Sequence, residues 1–368
     1  MRPKLITVNI GSPISYGGMH MSQSLGKASI KPEKPVYILN SASAVGTKEG
    51  EGPLGLLFDK VGEDNMFGCT TWEEAESTLQ KDAVALALEK SGFSQEDISF
   101  IFAGDLLGQS IATSFGISSY QIPLLGVYGA CSTCGESLAL GTMTIAGGFA
   151  DRVVCVTSSH FASAEKEFRF PLEYGNQRPL SATWTVTGSG AFVLGSEETM
   201  AEAKARGKGG PRAQITGITV GKIVDYGLKD SMNMGACMAP AAASTLEQHF
   251  IDFGSQPNCY DKIITGDLGK VGQKVLIDLM NEKGYDISAQ HMDCGIEIYD
   301  GDSQDTHSGG SGCGCSAVTL SAYILKQLEE HNWKKVLFMP TGALLSKTSF
   351  NEGKSVPGIA HGLVIECV

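Results

Sequence analysis

Short apolar runs alternate with helical patterns along most of the chain. Residues 124–128 form a strand-like apolar run that stops at Gly129-Ala130-Cys131, and a small-residue helical pattern follows over residues 137–148. Most of the other apolar runs are continuous, which is typical of sheets that helices cover on both faces. The pattern therefore predicts an α/β fold in which strands and helices alternate.

The elements of the first half recur in the second half in the same order. Asp105 and Asp267 each follow an apolar strand, and Cys131 and Cys315 each precede a small-residue helix. Because the matches keep the same order along the chain, they predict an internal duplication. The paired segments are 77–108 with 244–269, 130–132 with 314–316, 151–159 with 334–342, 187–194 with 357–364 and, more loosely, 36–40 with 215–219.

The polar, glycine-rich stretch 201–211 is the predicted seam between the copies. We therefore expect an N-terminal half over 1–205, in which 11–35 form a variable extension, and a C-terminal half over 211–368. Loops at the carboxyl ends of the strands of both halves are expected to form a shared pocket near a pseudo-twofold axis. The residues at or just beyond such ends are Asp105, Cys131, His160, Asp267, His307 and Gly342.

Cys131 is the most informative of these residues. A cysteine at a strand-to-helix turn meets the unpaired N–H groups of the new helix, and their positive potential favours the thiolate over the thiol. We therefore expect Cys131 to lie in the pocket, at a position suited to a nucleophile.

Composition excludes several classes of protein. The chain has 368 residues, a net charge of −12 and no stripe of Lys and Arg, which argues against nucleic-acid binding. We expect neither a secretory signal nor a membrane-spanning segment, because no run approaches about 18 apolar residues. Ten scattered cysteines indicate reduced thiols in a cytosol-like compartment. The spacing of Cys313 and Cys315 is too tight for the usual zinc ribbon, so no metal site is expected.

Two levels of family resemblance follow from these residues. The sequence Gly-Ala-Cys-Ser-Thr over 129–133, in a duplicated α/β half, resembles the thiolase and ketoacyl-synthase superfamily. That resemblance implies two pseudo-symmetric halves in a five-layered αβαβα arrangement and, by analogy, a homodimer. Further runs lie at 52–55, 57–60, 103–107, 157–160, 185–190, 236–243, 310–313, 341–346 and 359–362. On these runs the chain is similar, over nearly its whole length, to the stage V sporulation protein AD (SpoVAD) family of spore-forming bacteria.

The SpoVAD resemblance implies a binding function in the developing spore. It implies that the protein binds dipicolinic acid, a small aromatic dicarboxylate, during its uptake into the spore, as the free ligand or as its calcium chelate. It also implies a place peripheral to the inner spore membrane, beside membrane-embedded channel partners of the same operon. No resident cofactor is implied, and calcium would enter only as part of the ligand.

The residues around Cys131 favour binding over acyl transfer. A condensing enzyme needs further polar groups beside its thiolate, and Asp267 stands where a ketoacyl synthase carries a histidine. His307 resembles the histidine of the thiolase Gly-His-Pro segment, but residues 353–358 lack the second thiol of a thiolase. We therefore expect no catalysis, with a Cys131-dependent acyltransferase as the alternative and a structural scaffold of a membrane assembly as a second one.

A dicarboxylate requires positive charge, backbone N–H groups or a shared cation. Arg169, Arg178 and Lys347 are candidate cations, and the glycine-rich runs 266–269 and 309–310 are candidate N–H donors. Asp105 and Asp267 could hold a ligand-bound calcium or could only cap their turns. The expected ligand-binding residues are Cys131, Asp105, His160, Met238, Asp267, His307, Gly309 and Gly342.

Overall fold

The computed structural model describes residues 23–168, 178–207 and 211–368. Within these ranges no helix is long and apolar enough to cross a membrane. A single hydrogen-bonded path of ten strands runs through the molecule, in the order β12-β11-β14-β17-β10-β3-β9-β7-β5-β6. The strands are β1 Ser24–Leu25, β2 Ser29–Ile30, β3 Val36–Val45, β4 Lys60–Val61, β5 Phe100–Gly104, β6 Leu124–Gly126, β7 Arg152–Ser159, β8 Trp184–Thr185, β9 Gly188–Gly195, β10 Ala213–Thr219, β11 Lys262–Thr265, β12 His291–Asp293, β13 Gly310–Ser311, β14 Lys335–Met339, β15 Thr341–Ala343, β16 Gly358–Ala360 and β17 Gly362–Glu366.

The path consists of two five-stranded half-sheets with the same topology. In the first, β6, β5 and β7 are parallel neighbours, and β9 and β3 follow as antiparallel strands. In the second, β12, β11 and β14 are parallel, and β17 and β10 follow as antiparallel strands. The antiparallel pair β3–β10 joins them. The matching order confirms the predicted duplication.

Helices occupy the faces of both half-sheets. In the described residues, α2 and α3 pack on the outer face of the first half-sheet, α4 and α10 lie between the half-sheets, and α7 and α8 pack outside the second. The helices are α1 Thr47–Gly50, α2 Trp72–Ser91, α3 Ile111–Ile117, α4 Thr133–Ala146, α5 Phe161–Phe168, α6 Glu197–Ala205, α7 Met234–Phe253, α8 Gly269–Glu282, α9 Cys294–Ile298, α10 Cys313–Thr319, α11 Leu325–Glu329 and α12 Lys347–Asn351, with a π-helical turn, Leu320–Ile324, between α10 and α11.

Within the described residues, three large apolar cores follow from this layering, beside a small cluster that contains Cys131. The central core surrounds α4 and α10 and includes Leu138, Phe192 and Phe338. The two outer cores lie under α2 and under α7. These cores are separated by sheet and helix layers, as the predicted αβαβα arrangement requires.

Local sequence signals fix where the long helices begin and end. α2 begins after Thr71, whose side chain accepts the Glu74 N–H in a capping box, and ends at Gly92 with φ of 75°. α7 begins after Asn233, whose side chain accepts the Ala236 N–H, and ends at Gly254 with φ of 59°. These caps satisfy backbone groups that a helix leaves unpaired.

Three features differ from the sequence-based picture. α4 begins at Thr133, four residues before the start of the predicted helical pattern. Strand β6 is exposed rather than covered, with Leu124 and Leu125 exposed at 41% and 51%, because it lies at the edge of the sheet. The predicted seam begins inside α6, and residues 208–210 of the seam lie outside the described residues.

The first described residues reach across to the other half. Strand β2 pairs with β10 of the second half-sheet, Ile30 opposite Ile218 and Ser29 opposite Thr219. The Ser29 and Thr219 hydroxyls lie 2.9 Å apart, and Asp252 at the end of α7 accepts the N–H groups of Lys27 and Ala28. This crossing ties the N-terminal segment to the C-terminal half.

Candidate functional site

A cleft opens beside Cys131, between loops of the two halves. It encloses about 620 Å³ of space, including the part open to solvent. Its walls are mostly apolar, with several hydroxyl groups. The lining residues are Leu106, Tyr128, Ala130, Cys131, Glu165, Ala182, Thr183, Thr185, Ser231, Met232, Met234, Ser311, Ala343 and Leu345.

The turn that carries Cys131 is tightly constrained. Ala130 adopts a left-handed backbone with φ of 51°, and the Ser132 N–H donates to the Gly129 carbonyl. Gly342 of the other half approaches this turn closely, because a Cβ atom there would lie 2.3 Å from the Gly129 oxygen. Only glycine fits at such an approach. The structure thus brings Cys131 and Gly342 together, as the sequence predicted.

The surroundings of Cys131 favour the thiol over the thiolate, opposite to the effect of the helix N-terminus that the sequence suggests. Burial raises the pKa of Cys131 well above its usual range, and the nearby Asp267 carboxylate raises it further. The Sγ atom lies 3.8 Å from the Ser311 hydroxyl. The N-terminus of α4 does not offset burial and a neighbouring negative charge.

Asp267 supports the floor of the cleft from below. Its Oδ2 atom accepts the Ser311 hydroxyl at 2.9 Å and the Gly312 N–H at 3.0 Å, and its Oδ1 atom accepts the Thr341 hydroxyl at 2.8 Å. Burial raises the pKa of Asp267, whereas these donors lower it. Since Cys131 and Ser311 line the cleft, Asp267 acts on the cleft through them.

Asp105 faces away from the cleft and holds the start of α3. Its Oδ1 atom accepts the Leu107 N–H, and its Oδ2 atom accepts both the N–H and the hydroxyl of Thr113, all within 2.8 Å. Glu76 lies nearby, and burial together with Asp105 raises the pKa of Glu76 to about 8. The capping interpretation of Asp105 therefore agrees with the geometry, and the ligand-binding one does not.

His160 lies outside the cleft lining. It is buried, its Nε2 atom lies 2.8 Å from the Asn65 carbonyl oxygen, and its Nδ1 atom accepts the Ala162 N–H. Its ring packs 5.4 Å from the Trp72 ring, and burial lowers its pKa. These contacts anchor the loop that leads into α5.

His307 makes no hydrogen bond to Cys131, the contact that a thiolase-like histidine would need in order to activate the thiol. Its Nε2 atom lies 2.9 Å from an Asp305 carboxylate oxygen, and its Nδ1 atom lies 3.0 Å from the Pro179 carbonyl oxygen. Arg178 also binds Asp305, and its guanidinium lies over the Trp184 ring. Arg178 and His307 thus both bind Asp305, and Arg178 also packs on Trp184 of β8.

Two more predicted residues, Met238 and Gly309, have structural surroundings. Met238 is fully buried in the outer core under α7. Gly309 has φ of 122°, and a Cβ atom there would lie 2.5 Å from the Gly295 carbonyl oxygen. Neither residue lines the cleft.

The remaining candidates from the sequence are the backbone N–H groups of 266–269 and the cations Lys347 and Arg169. The N–H groups of Leu268 and Gly269 donate to Asp293, at 2.8 and 3.0 Å, so they are not available to a ligand. Lys347 begins α12 and is exposed, and Arg169 lies outside the described residues. Within the described ranges no group of three or more His, Cys, Asp or Glu side chains is arranged to hold a metal ion.

Sequence reasoning missed most of the cleft wall. Thr185, Ser311 and Leu345 lie in runs that carried the family resemblance, so a signal for them existed. Glu165 on α5 had no such signal, although its carboxylate lines the cleft and accepts the Thr185 hydroxyl at 3.0 Å. The lining combines thioether, aromatic and hydroxyl groups with the buried Cys131 thiol.

Comparisons with known proteins agree with this geometry. Solved structures of thiolases share the fold: human mitochondrial 3-ketoacyl-CoA thiolase has a TM-score of 0.54 at 12% identity, covering 91% of this chain and 99% of that one. Acetyl-CoA acetyltransferase from Syntrophomonas wolfei has a TM-score of 0.57 at 10% identity, covering 91% of this chain and 100% of that one. The fold is therefore thiolase-like.

The sequence comparisons are more specific. Stage V sporulation protein AD of Bacillus subtilis (strain 168) is 44% identical over 341 residues, which cover 93% of this chain and 97% of that protein. The family model of stage V sporulation protein AD matches residues 26–366. The chain therefore belongs to the stage V sporulation protein AD (SpoVAD) family of sporulation proteins.

Proposed function

We propose that this sporulation protein binds dipicolinic acid in the cleft beside Cys131 and performs no catalysis there. The observation that carries the proposal is the environment of Cys131. Its sulfur is buried beside the Asp267 carboxylate, and this carboxylate opposes the second negative charge of a thiolate. A cleft with a neutral thiol binds a ligand without attacking it.

The shape and chemistry of the cleft suit a small aromatic dicarboxylate. Tyr128, Met232, Met234 and Leu345 provide apolar surface for a ring, since sulfur and aromatic groups pack well on aromatic faces. The Ser231 hydroxyl on the same wall provides a donor for a carboxylate oxygen. The Thr185 and Ser311 hydroxyls also line the cleft, but they already donate to Glu165 and Asp267.

The form of the ligand depends on the charge of the cleft. Glu165 is a carboxylate in the wall, and Asp267 lies just beneath the floor. A dianion beside two acids requires a cation or a proton. The calcium chelate meets this requirement, and Glu165 then takes the role that the sequence suggested for Asp105 and Asp267.

One pair of measurements separates the three candidate functions. Dipicolinate is titrated into the protein by calorimetry, with and without calcium, and the protein is incubated with an acyl-CoA and examined by mass spectrometry for an adduct on Cys131. Heat without an adduct supports the proposed binding. An adduct with turnover supports an acyltransferase, and neither signal supports a scaffold.

The calcium form has its own test. If the chelate is bound, Glu165→Gln weakens binding more in the presence of calcium than in its absence, and Asp267→Asn changes it through the floor of the cleft. Equal affinity of all three proteins in both conditions would exclude a role for either acid.

We also propose a homodimer that forms through strand β6. The outer edge of β6 ends the sheet, and the exposed Leu124 and Leu125 lie on this strand. Such an edge pairs readily with another strand, and a second copy offers the same edge about a twofold axis. Sedimentation of Leu125→Lys should show a monomer where the native chain shows a dimer; an unchanged mass would exclude this edge.

The remaining part of the proposal concerns location. We place the protein at the periphery of the inner spore membrane, beside membrane-embedded channel proteins of the same operon. Membership of the SpoVAD family supports this part. Fractionation of spores, with and without those channel proteins, tests it.

A further inference from the structure

An exposed apolar segment borders the mouth of the cleft. Ile223, Tyr226 and Leu228 are exposed at 60%, 66% and 40%, in a stretch without helix or regular strand. The backbone of this stretch is nevertheless fixed. Val224 exchanges two hydrogen bonds with Gly358, at 2.9 and 2.8 Å. The apolar side chains therefore stand in solvent on an ordered support.

The helix α12 extends the same surface. The Ser355 hydroxyl donates to Asp225 at 2.6 Å, and the Lys354 N–H donates to the Ser349 carbonyl of α12 at 3.0 Å. Phe350 of α12 is exposed at 48%. These bonds place α12 and the segment 222–230 side by side.

Lysines surround the exposed apolar groups. Lys222, Lys229 and Lys354 are exposed, and within the described part of the chain none of them makes an ion pair. Residues 222–230 and 347–354 together carry four lysines and three acids, a net charge of +1, whereas the whole chain carries −12. We call Lys222, Ile223, Tyr226, Leu228, Lys229, Phe350 and Lys354 the basic-apolar surface.

Two of the three acids of this region, Asp225 and Asp230, are engaged in their own turns, whereas Glu352 just after α12 is exposed. Asp225 accepts the Gly227 N–H at 2.8 Å besides the Ser355 hydroxyl, and Asp230 accepts the Met232 N–H at 3.0 Å. Lys222, Lys229 and Lys354 have no such partners among the described side chains. The basic-apolar surface therefore exposes ammonium groups and apolar side chains side by side, so that one binding partner can contact both.

We propose that the basic-apolar surface docks on a bilayer of anionic lipids. Apolar side chains that stand out singly enter the boundary between headgroups and acyl chains, while lysines bind the phosphates. An acidic protein otherwise avoids such a membrane by repulsion, so a local positive surface decides which side approaches. The proposal rests on the peripheral membrane location proposed above, and it names the surface and the lipid chemistry.

Docking in this way turns the cleft toward the membrane. Ser231, Met232 and Met234 directly follow the exposed segment and line the cleft, and Leu345 lies just before α12. A ligand that leaves the cleft would then emerge at the bilayer surface. Lipid contact and ligand release would therefore both occur on the same side of the molecule.

Vesicle co-sedimentation of the full chain tests the proposal directly. Phosphatidylcholine vesicles with and without phosphatidylglycerol are compared, and only the anionic ones should retain the protein. The triple variant Lys222→Gln/Lys229→Gln/Lys354→Gln should bind them about a hundredfold more weakly, at roughly a factor of five per lysine. The matched control changes three other exposed lysines without ion pairs, Lys31→Gln/Lys81→Gln/Lys274→Gln, and should bind normally.

A second pair of variants tests the apolar part. Ile223→Ser/Tyr226→Ser should weaken binding about tenfold or more, by loss of buried apolar area. Its control, Leu56→Ser/Phe149→Ser, removes apolar groups that are exposed at 102% and 79% elsewhere, and should have no effect.

The outcomes separate this inference from the ligand-binding proposal. The inference is overturned if variants of the basic-apolar surface and control variants lose equal amounts of vesicle binding. It is also overturned if the native protein binds neutral vesicles as well as anionic ones. Binding only to native membranes that contain integral proteins, abolished by the triple lysine variant, replaces the lipid by a protein partner. Calorimetric titration of dipicolinate on the same variants should be unchanged, so a failure to bind lipid leaves the ligand-binding proposal standing.

Discussion

Asp105 and Asp267 follow the equivalent strands β5 and β11, and both carboxylates are buried. Both carboxylate oxygens of Asp105 accept hydrogen bonds from backbone and hydroxyl groups before and in the first turn of α3. Asp267 instead binds donors from β13, β15 and the start of α10, directly below Cys131. An aspartate therefore occupies the equivalent position in both halves. The contacts of Asp105 are local to α3, whereas those of Asp267 place it at the cleft.

The largest expected effect comes from removing each acid. Asp267→Ala and Asp105→Ala should each lower the free energy of unfolding by about 3 kcal/mol or more, because each leaves buried donors without an acceptor. Only Asp267→Ala should also weaken ligand binding. Thermal unfolding and calorimetric titration of both variants measure the two effects. The comparison fails if Asp105→Ala weakens binding as much as Asp267→Ala does.

Filling the cleft should separate binding from stability. Met232→Trp places a large ring in the cleft and should weaken dipicolinate binding about a hundredfold, because the ring occupies the space that the ligand needs. Met66→Trp, in a partly exposed loop away from the cleft lining, is the matched control and should bind normally. Full affinity in Met232→Trp would show that the ligand binds elsewhere.

The acidic pair on the Asp105 side should make stability depend on pH. The pKa of Glu76 is raised from 4.5 to about 8, by burial and by Asp105. Because the pKa of Glu76 is higher in the folded than in the unfolded state, protonated Glu76 stabilises the folded state. This contribution to the free energy of unfolding is fully present below about pH 4.5 and is lost as the pH rises through about 8. Thermal unfolding temperatures across this range should fall for the native chain.

The variant Glu76→Gln gives the control for that profile. Its amide keeps the acceptor for Ser158 and cannot ionise, so the fall in unfolding temperature with pH should be smaller. Identical profiles of the two proteins would assign the pH dependence to other groups.

The smallest effect concerns the reactivity of Cys131. Because its pKa is raised, iodoacetamide should modify it at least about tenfold more slowly than the exposed Cys259 at mildly alkaline pH. Mass spectrometry of peptides after brief labelling measures both sites. Preferential labelling of Cys131 would instead indicate an activated nucleophile and would favour the acyltransferase.

The fold was more predictable from the sequence than the site. The order of apolar runs is repeated in the two halves, and strand order depends on that pattern, so the duplication could be inferred. Asp267 and Gly342 were placed correctly near Cys131 because the ends of parallel strands meet at one edge of a sheet.

Side-chain direction was the part that sequence position did not determine. Asp105 and His160 also follow strands, but both turn toward backbone partners away from the cleft. For Cys131, the helix terminus that favours a thiolate was visible in the sequence, whereas the burial beside Asp267 that raises its pKa was not. Glu165 escaped notice because a helix offers several faces, and only packing decides which one borders a cavity.

The crossing of strand β2 to the second half-sheet has a consequence for synthesis on the ribosome. Ser29 and Ile30 find their partners in Thr219 and Ile218, which are made almost two hundred residues later. Until then β2 has β1 as its only partner strand among the described residues. Pairing of β2 with β10 thus requires that the second half has begun to fold. A protease that cuts near residue 27 would cleave nascent chains before this pairing and would be hindered after it.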